Sequence, residues 1–479
     1  MNHLIRTQVI DVVFHQEAEA FALQQRLRDL FYEVLLPVLE EAFDELSTPQ
    51  EVIHLDTVEL DLGTVSLADL EMLDITDQLK SKIRVDLTAV ILSPAGKKTI
   101  KRTLRLSIVQ QWMYYMQHGF LPWNVTVTDV VWYDQVLEGF AVDSHSIEAL
   151  RKLITTDLRA VKRMVLSGAP QFLVHLTEAL TSRVQDGLLI VLDGICAALI
   201  EAGREPSLAW QRNVWNEILR MAAIAPGLTT DEIVSRVIAH HIDDEMVLLV
   251  QRSKTLSPEI IMRVTTAKTS QAAAAEAIRS SLKTAPQPDA TPAPESDIIP
   301  VPTQAPVSVR PPTEDMFVVR AGLVLLHPFL TNLFTYLNLV EGTDFKSLYH
   351  RQKALAVLHF LATGSTTYEE HELVVAKILC NHPWEEPVDP AIQLSGDEMH
   401  ECEELLGEVI ARWSILKSTS ANTLRTNFLQ RGGKLYTMGN EPHLLVEGNM
   451  LDVLLDHLPW GIGIIKLPWM KQLLKVEWR

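Results

Sequence analysis

Between Thr284 and Pro312 the chain places nine of its 24 prolines. Proline fixes φ and has no amide hydrogen to donate, so neither a helix nor a central strand runs through so dense a stretch. The segment is also nearly free of aromatic residues and has little to bury. It is expected to be an extended linker between folded parts. From composition alone, a proline-motif ligand for a partner domain is the alternative.

The linker and the turn signals divide the 479 residues into four expected parts. These are an N-terminal block over 1–140, a helical middle region over 141–283, the linker over 284–313 and a C-terminal block over 314–479. The fold class expected is α+β, predominantly α-helical. In the first block Ile10, Val12 and Phe14, and later Val58, Leu60 and Leu62, recur at period two, which suits half-buried strands. Between them Leu27, Leu30, Phe31, Val34, Leu35 and Val38 recur at helical spacing, with a kink expected at Pro37 and an end at Ser47-Thr48-Pro49. Leu79, Ile83, Leu87, Val90 and Ile91 fit a helix face, although the same stretch also alternates as a strand would. Val109–Met116 reads as a helix ended by Gly119.

The middle region reads as short helices separated at Gly168-Ala169-Pro170, Gly203 with Pro206, Pro226-Gly227 and Ser257-Pro258. Such helices bury their faces by stacking on one another. Gln271–Ala277 is alanine-rich and suits a helix. The apolar run 187–200 is too short to span a bilayer and contains Asp193, so it is expected to be a buried helix. In the last block Ser395 is placed to cap a helix over Asp397–Trp413, and Ser418–Ser420 another reaching about Gln430. Lys434–Met438, Gly439-Asn440 and His443–Glu447 read as a hairpin. The closing LPW-x₆-LPW reads as two edge segments joined at Gly461 and Gly463. Trp112–Gly119 aligns without gaps on Val357–Gly364, an apolar helix ended by glycine in both cases.

The two ends carry a resemblance. Residues 4–63 contain TQVIDVVF, EAFALQQRLRDLFYEVLLPVLEEAFDEL and EVIHLDTVELDLG. Residues 317–478 contain VVRAGLVLLHPFLTNLF, LATG, EHELVVAKILCNHPWEEP and LLDHLPWGIGIIKLPW. Taken in order, these blocks resemble the contractile injection system tape measure proteins, components of phage-tail-like machines with a sheath, an inner tube and a baseplate. The resemblance covers a little under half the chain, and the middle lies outside it. It implies a structural and assembly role that sets or assists inner-tube length. It implies partners among the inner tube, baseplate hub and cap proteins, with a homo-oligomer left open. The alternative within the same machine is a soluble adaptor or assembly chaperone, and the third reading is a metal-dependent hydrolase carried by the particle.

Geometry limits how such a role is performed. An unbroken helix of 479 residues would span about 720 Å, but prolines and glycines interrupt this chain repeatedly and no long heptad pattern runs through it. If one part determines length, the middle region and linker are the expected part.

The net charge of −19 argues against nucleic acid or an anionic membrane as the main partner, since both need a basic face. No basic cluster is longer than Lys97-Lys98 with Lys101-Arg102, and it reads as a solvated turn. Three cysteines, Cys196, Cys380 and Cys402, are too few and too scattered for a disulfide framework. With no signal peptide evident, the expected location is the cytoplasm or the assembled particle.

Catalytic signatures fail on individual residues. Gly96-Lys97-Lys98-Thr99 lacks the upstream glycine of a phosphate loop, because position 91 is Ile. Gly461-Ile462-Gly463 lacks the third glycine of a dinucleotide loop, because position 466 is Lys. Glu369-Glu370-His371-Glu372 lacks a second zincin histidine, because position 375 is Val. Cys380-x-His382 and His400-x-Cys402 would supply four zinc ligands, but one-residue spacing is too tight for typical zinc loops. His240-His241 with Asp243, Asp244 and Glu245 reads better as a polar helix end. No catalytic residue, metal or cofactor is expected. Trp123, Trp384, Trp460 and Trp469 each follow proline. Such pairs fit core corners, or a docking surface for a partner, where tryptophan is enriched.

Overall fold

The computed structural model describes residues 3–5, 8–9, 31–46, 51–55, 58–60, 75–92, 99–122, 125, 128, 130–253, 256–269, 315–416, 419–439 and 441–478. The expected strand at Ile10–Phe14, the alanine-rich segment, the proline-rich linker and Trp123 lie outside them. The chain forms two compact units: residues 1–110 with 126–139, and residues 111–125 with 140–479.

In the first unit a π-helical turn, Phe31–Leu35, leads into α1, Leu36–Leu46. The change of helix type falls beside Pro37, whose missing donor breaks the regular ladder there. Helix α2, Ile75–Leu92, settles the helix-or-strand ambiguity of that stretch in favour of helix. Its Ile83 and Leu87 pack with Phe31, Leu35, Val38 and Ala42 in a small core. Strand β1, Glu51–Leu55, pairs antiparallel with β2, Thr99–Thr103, with Glu51 opposite Thr103. The strand expected at Val58–Leu62 therefore lies earlier. Residues 58–60 are irregular, and Val58 and Leu60 only pack against the small core. Helices α3, Leu104–His118, and α4, Val130–Val142, follow, each beginning in this unit and ending in the second.

In the second unit the middle residues form α5, Ser144–Thr156; α6, Leu158–Ser167; α7, Pro170–Thr181; α8, Leu188–Glu201; α9, Leu208–Ile224; α10, Thr230–His241; and α11, Asp244–Arg252. Residues 258–269 are also helical. Local chemistry sets the breaks. Asp157 ends α5 and accepts from the Arg159 and Ala160 amides to start α6. Pro170 opens α7, where a missing amide costs least. Thr229 and Glu232 form a capping box on α10. The run 187–200 is α8, started from a left-handed Gly187. Helix α9 is central and packs on α5, α6, α7 and α10 through buried Val214, Ile218 and Leu219.

The C-terminal residues contribute β3, Met316–Val318; α12, His327–Tyr336; β4, Val340–Glu341; β5, Asp344–Phe345; α13, Leu348–Thr363; α14, Val374–Leu379; α15, Gly396–Arg412; α16, Ala421–Leu424; β6, Gly433–Met438; β7, Glu441–Val446; β8, Ile464–Ile465; and β9, Leu474–Trp478. Ser395 caps α15 as the sequence led us to expect, and Glu398 completes a capping box with it. Ser420 starts α16, which continues as a π-helical turn over Arg425–Leu429. The sheet runs β3-β6-β7-β9-β8. The β6–β7 hairpin turns at Gly439, where φ is +68°, with Met438 opposite Glu441. Strand β9 returns parallel to β7. The two LPW segments are not themselves strands: β8 lies between them, and β9 follows the second. Helix α13 buries residues on every side, from Gln352 to Ala362, as a helix enclosed by its own domain must.

The helices that echo one another in sequence end in the same way. Gly119 and Gly364 have φ of +80° and +74°, and each donates its amide to the carbonyl four residues earlier, Tyr115 and Phe360. An arginine closes each end: Arg163 donates to the Met116 carbonyl and Arg425 to the Leu361 carbonyl. Met116 and Leu361 occupy matching positions in the gapless alignment.

Candidate functional site

Within the second unit, one turn gathers most of the buried polar chemistry. It runs from Trp384 to Asp389, after α14, inside the sequence HPWEEPVDP. From the C-terminal side, Lys377 Nζ donates to Glu370 at 2.5 Å and to the carbonyls of Trp384 and Glu386 at 2.9 and 3.2 Å. Gln352 donates to the Pro387 carbonyl at 3.1 Å, and the Tyr368 hydroxyl to the Asp389 carbonyl at 2.9 Å. These bonds hold an irregular turn whose backbone would otherwise be left unsatisfied.

The middle helices meet the same turn with four cations. Arg163, on α6, makes a two-point pair with Glu370 at 2.8 and 3.2 Å and donates to the Glu385 carbonyl at 2.7 Å. Arg159 pairs with Glu385, and Lys162 with Glu386 at 3.0 Å. Arg212, on α9, grips Asp389 with both terminal nitrogens, at 2.6 Å each. The centre of this seam is dry, with the Arg163 and Glu370 side chains 1% and 7% exposed. Its rim is wet, with the Lys162 and Glu386 side chains 45% and 31% exposed.

The field follows from these neighbours. Burial pushes the Lys377 ammonium down, Glu370 opposes this, and Arg163 adds to it; the net shift is downward. Burial raises the Asp389 carboxyl, but Arg212 and the Ala391 amide outweigh it and hold the group below the usual carboxylate range. His382 sits beside the turn, and burial reinforced by Lys377 lowers it to about 3.

The tryptophans are placed differently from one another. Trp469 is 4% exposed, donates to the Leu379 carbonyl at 2.7 Å and lies against Phe334 and Phe345. Trp460 is half-buried. It donates to the Leu325 carbonyl at 3.1 Å and meets Phe329 edge-on. Trp384 is half-buried at the head of the charged turn. The segment containing Trp460 also carries Met450, Val453 and Ile464, which are 95%, 58% and 65% exposed.

The residues considered for zinc are dispersed into other roles. Cys380 and Cys402 are buried. Burial pushes the Cys380 thiol up strongly, and burial with the neighbouring Glu403 pushes Cys402 up to about 12. His240 and His241 both pair with Glu217. Among the described residues, no group of three or more His, Cys, Asp or Glu is placed to hold a metal, and no helix is long and apolar enough to cross a membrane.

Sequence reasoning did not find Arg163, Glu370, Lys377 and Asp389 as a set. Arg163 lies 207 residues before Glu370, and singly each of the four resembles a solvated charge. The available signal was the run KILCNHPWEEP, which contributed to the resemblance and now supplies one side of the seam.

No curated protein and no solved structure matches the chain. A family model described as contractile injection system tape measure protein matches residues 2–478, so the likeness extends through the middle helices as well as the two ends. The chain belongs to the contractile injection system tape measure proteins, and its role is that family's structural and assembly role in phage-tail-like particles.

Proposed function

We propose that the chain performs its tape-measure role as a set of folded parts docked on the growing particle, not as one continuous helical ruler. The observation that carries this reading is helix length. Among the described residues the longest helix, α2, has 18 residues, about 27 Å at the helical rise. The folded parts are the blocks 1–140, 141–283 and 314–479, joined through 284–313. The partners are the inner tube, baseplate hub and cap proteins, met in the cytoplasm during assembly and in the finished particle. No residue acts catalytically in this reading.

The partner-facing surface we assign first is the 450–464 segment, where Trp460 offers a partly exposed ring and Met450, Val453 and Ile464 are exposed. Exposed apolar side chains in one segment with an anchored tryptophan suit a hot spot. Trp384 is the second candidate. Trp123 belongs to the same group by its Pro-Trp sequence, whereas Trp469 is buried in the core and is the weakest of the four candidates. The test is assembly in cells carrying Trp460→Ala with Val453→Asp. Particles that are fewer or irregular in tube length, with the variant chain still folded and present at normal level, support the surface. Normal particles refute it.

A further inference from the structure

We infer that the boundary between the middle helices and the C-terminal block is a releasable joint held by charge. The C-terminal core is closed on itself. It is built from residues between Met316 and Trp478; among the described residues the one earlier hydrophobic side chain packed against it is half-buried Phe120, and Tyr115, on α3, meets the His371 ring of this block edge-on. The block therefore does not need α5–α11 to complete its interior. What ties the helices to it is the set of ion pairs Arg159–Glu385, Lys162–Glu386, Arg163–Glu370 and Arg212–Asp389, with basic groups on one side and acidic groups on the other.

The arrangement is suited to opening without stranding a charge. If the two sides part, Glu370 keeps Lys377, which lies seven residues away on its own side. Arg163 keeps the Met116 carbonyl on its side, and Arg159 stays 3.8 Å from Asp157. Lys162, Arg212, Glu385, Glu386 and Asp389 pass into water that they already partly face, at exposures from 24% to 51%. An apolar seam of equal area would lose its hydrophobic stabilisation on opening. Here the charges recover hydration that burial had cost them, which offsets much of the lost pairing. Covalently, the sides are connected by residues 270–314, so parted halves remain at high effective concentration and can rejoin. The joint gives the chain a closed and an open arrangement, with balance set by ionic strength and by competing charged surfaces.

The test uses the full chain, with amide hydrogen exchange and small-angle scattering at low and high salt. In the Arg159→Glu, Lys162→Glu, Arg212→Glu triple variant, exchange over 384–389 should speed about tenfold or more and the radius of gyration should rise. Helix α13 should keep its protection within about twofold. Adding Glu385→Lys, Glu386→Lys and Asp389→Lys should restore closure by reversing every rim pair. In the unaltered chain, raising salt should move both readouts the same way. The joint is refuted by unchanged exchange and radius in the triple variant and in salt, by failure of the reversed pairs to restore closure, or by loss of protection spreading into α13, which would mean one indivisible fold.

Discussion

Arg163 and Glu370 lie 207 residues apart in sequence and meet as a two-point ion pair at 2.8 and 3.2 Å. Lys377 shares the same carboxylate at 2.5 Å. One anion is therefore shared by two buried cations, and the three positions differ in what their loss does. Glu370→Gln leaves two like charges facing each other in a dry site and should cost about 3–5 kcal/mol. Arg163→Met leaves a balanced Lys–Glu pair and should cost clearly less, as should Lys377→Met. Urea unfolding of the three single variants checks the order, and equal losses would contradict it.

A second expectation concerns pH. His359 is buried beside Arg320 and is lowered from 6.5 to about 4, with burial the larger cause and the Arg320 charge the next; His382 is lowered to about 3. Below pH 6.5 the unfolded imidazoles take up protons that the folded ones refuse, so stability falls as pH drops toward those folded values. At pH 5 each should remove about 2 kcal/mol, and the two together about 4 kcal/mol. The lowered carboxyls of Glu372 and Asp389 add a loss in the same direction at still lower pH. A His359→Gln, His382→Gln variant should show a flatter stability profile between pH 7 and 5. An equally steep profile would assign the acid sensitivity elsewhere.

The glycines separate tight packing from open space. A Cβ at Gly322 would stand 1.7 Å from the Phe428 carbonyl oxygen, so Gly322→Ala forces backbone apart and should cost about 3 kcal/mol or more. A Cβ at Gly407, on α15, meets nothing within 4 Å. There Gly407→Ala should stabilise by about 0.5–1 kcal/mol through helix propensity. Thermal melts of the two variants should move in opposite directions.

Trp469 and Trp460 should likewise part company. Trp469→Ala empties a packed site among Phe334, Phe345 and the Leu379 carbonyl and should cost about 3–5 kcal/mol. Trp460→Ala removes a half-buried ring with one hydrogen bond and should cost less stability while weakening capture of the chain by particle components. Denaturation and pull-down on the same two variants check this. A Trp469 variant that folds normally would contradict the first half.

What was legible in the sequence was what is locally encoded. The Ser395 cap, the Gly439 turn and the breaks at Pro170 and Pro226-Gly227 each depend on residues within a few positions, whereas the break at Asp157 passed unread. The β1–β2 pair was not legible, because EVIHL and TIKRT are five residues each and neither chooses a partner by its own pattern. Val58 and Leu60 alternate convincingly, yet pack as loop residues against the small core. The seam was hidden for a different reason. Charges at 159, 162, 163 and 212 read as helix surface, and only the tertiary approach of 370–389 turns one of them into a buried ion.

Particle length is the most direct test of the account. About 30 strongly helical residues inserted near residue 270 would lengthen a continuous helical ruler by about 45 Å. Folded parts docked on the particle predict tubes of unchanged length by electron microscopy. A reproducible increase near 45 Å would contradict that reading and establish the chain as a linear ruler.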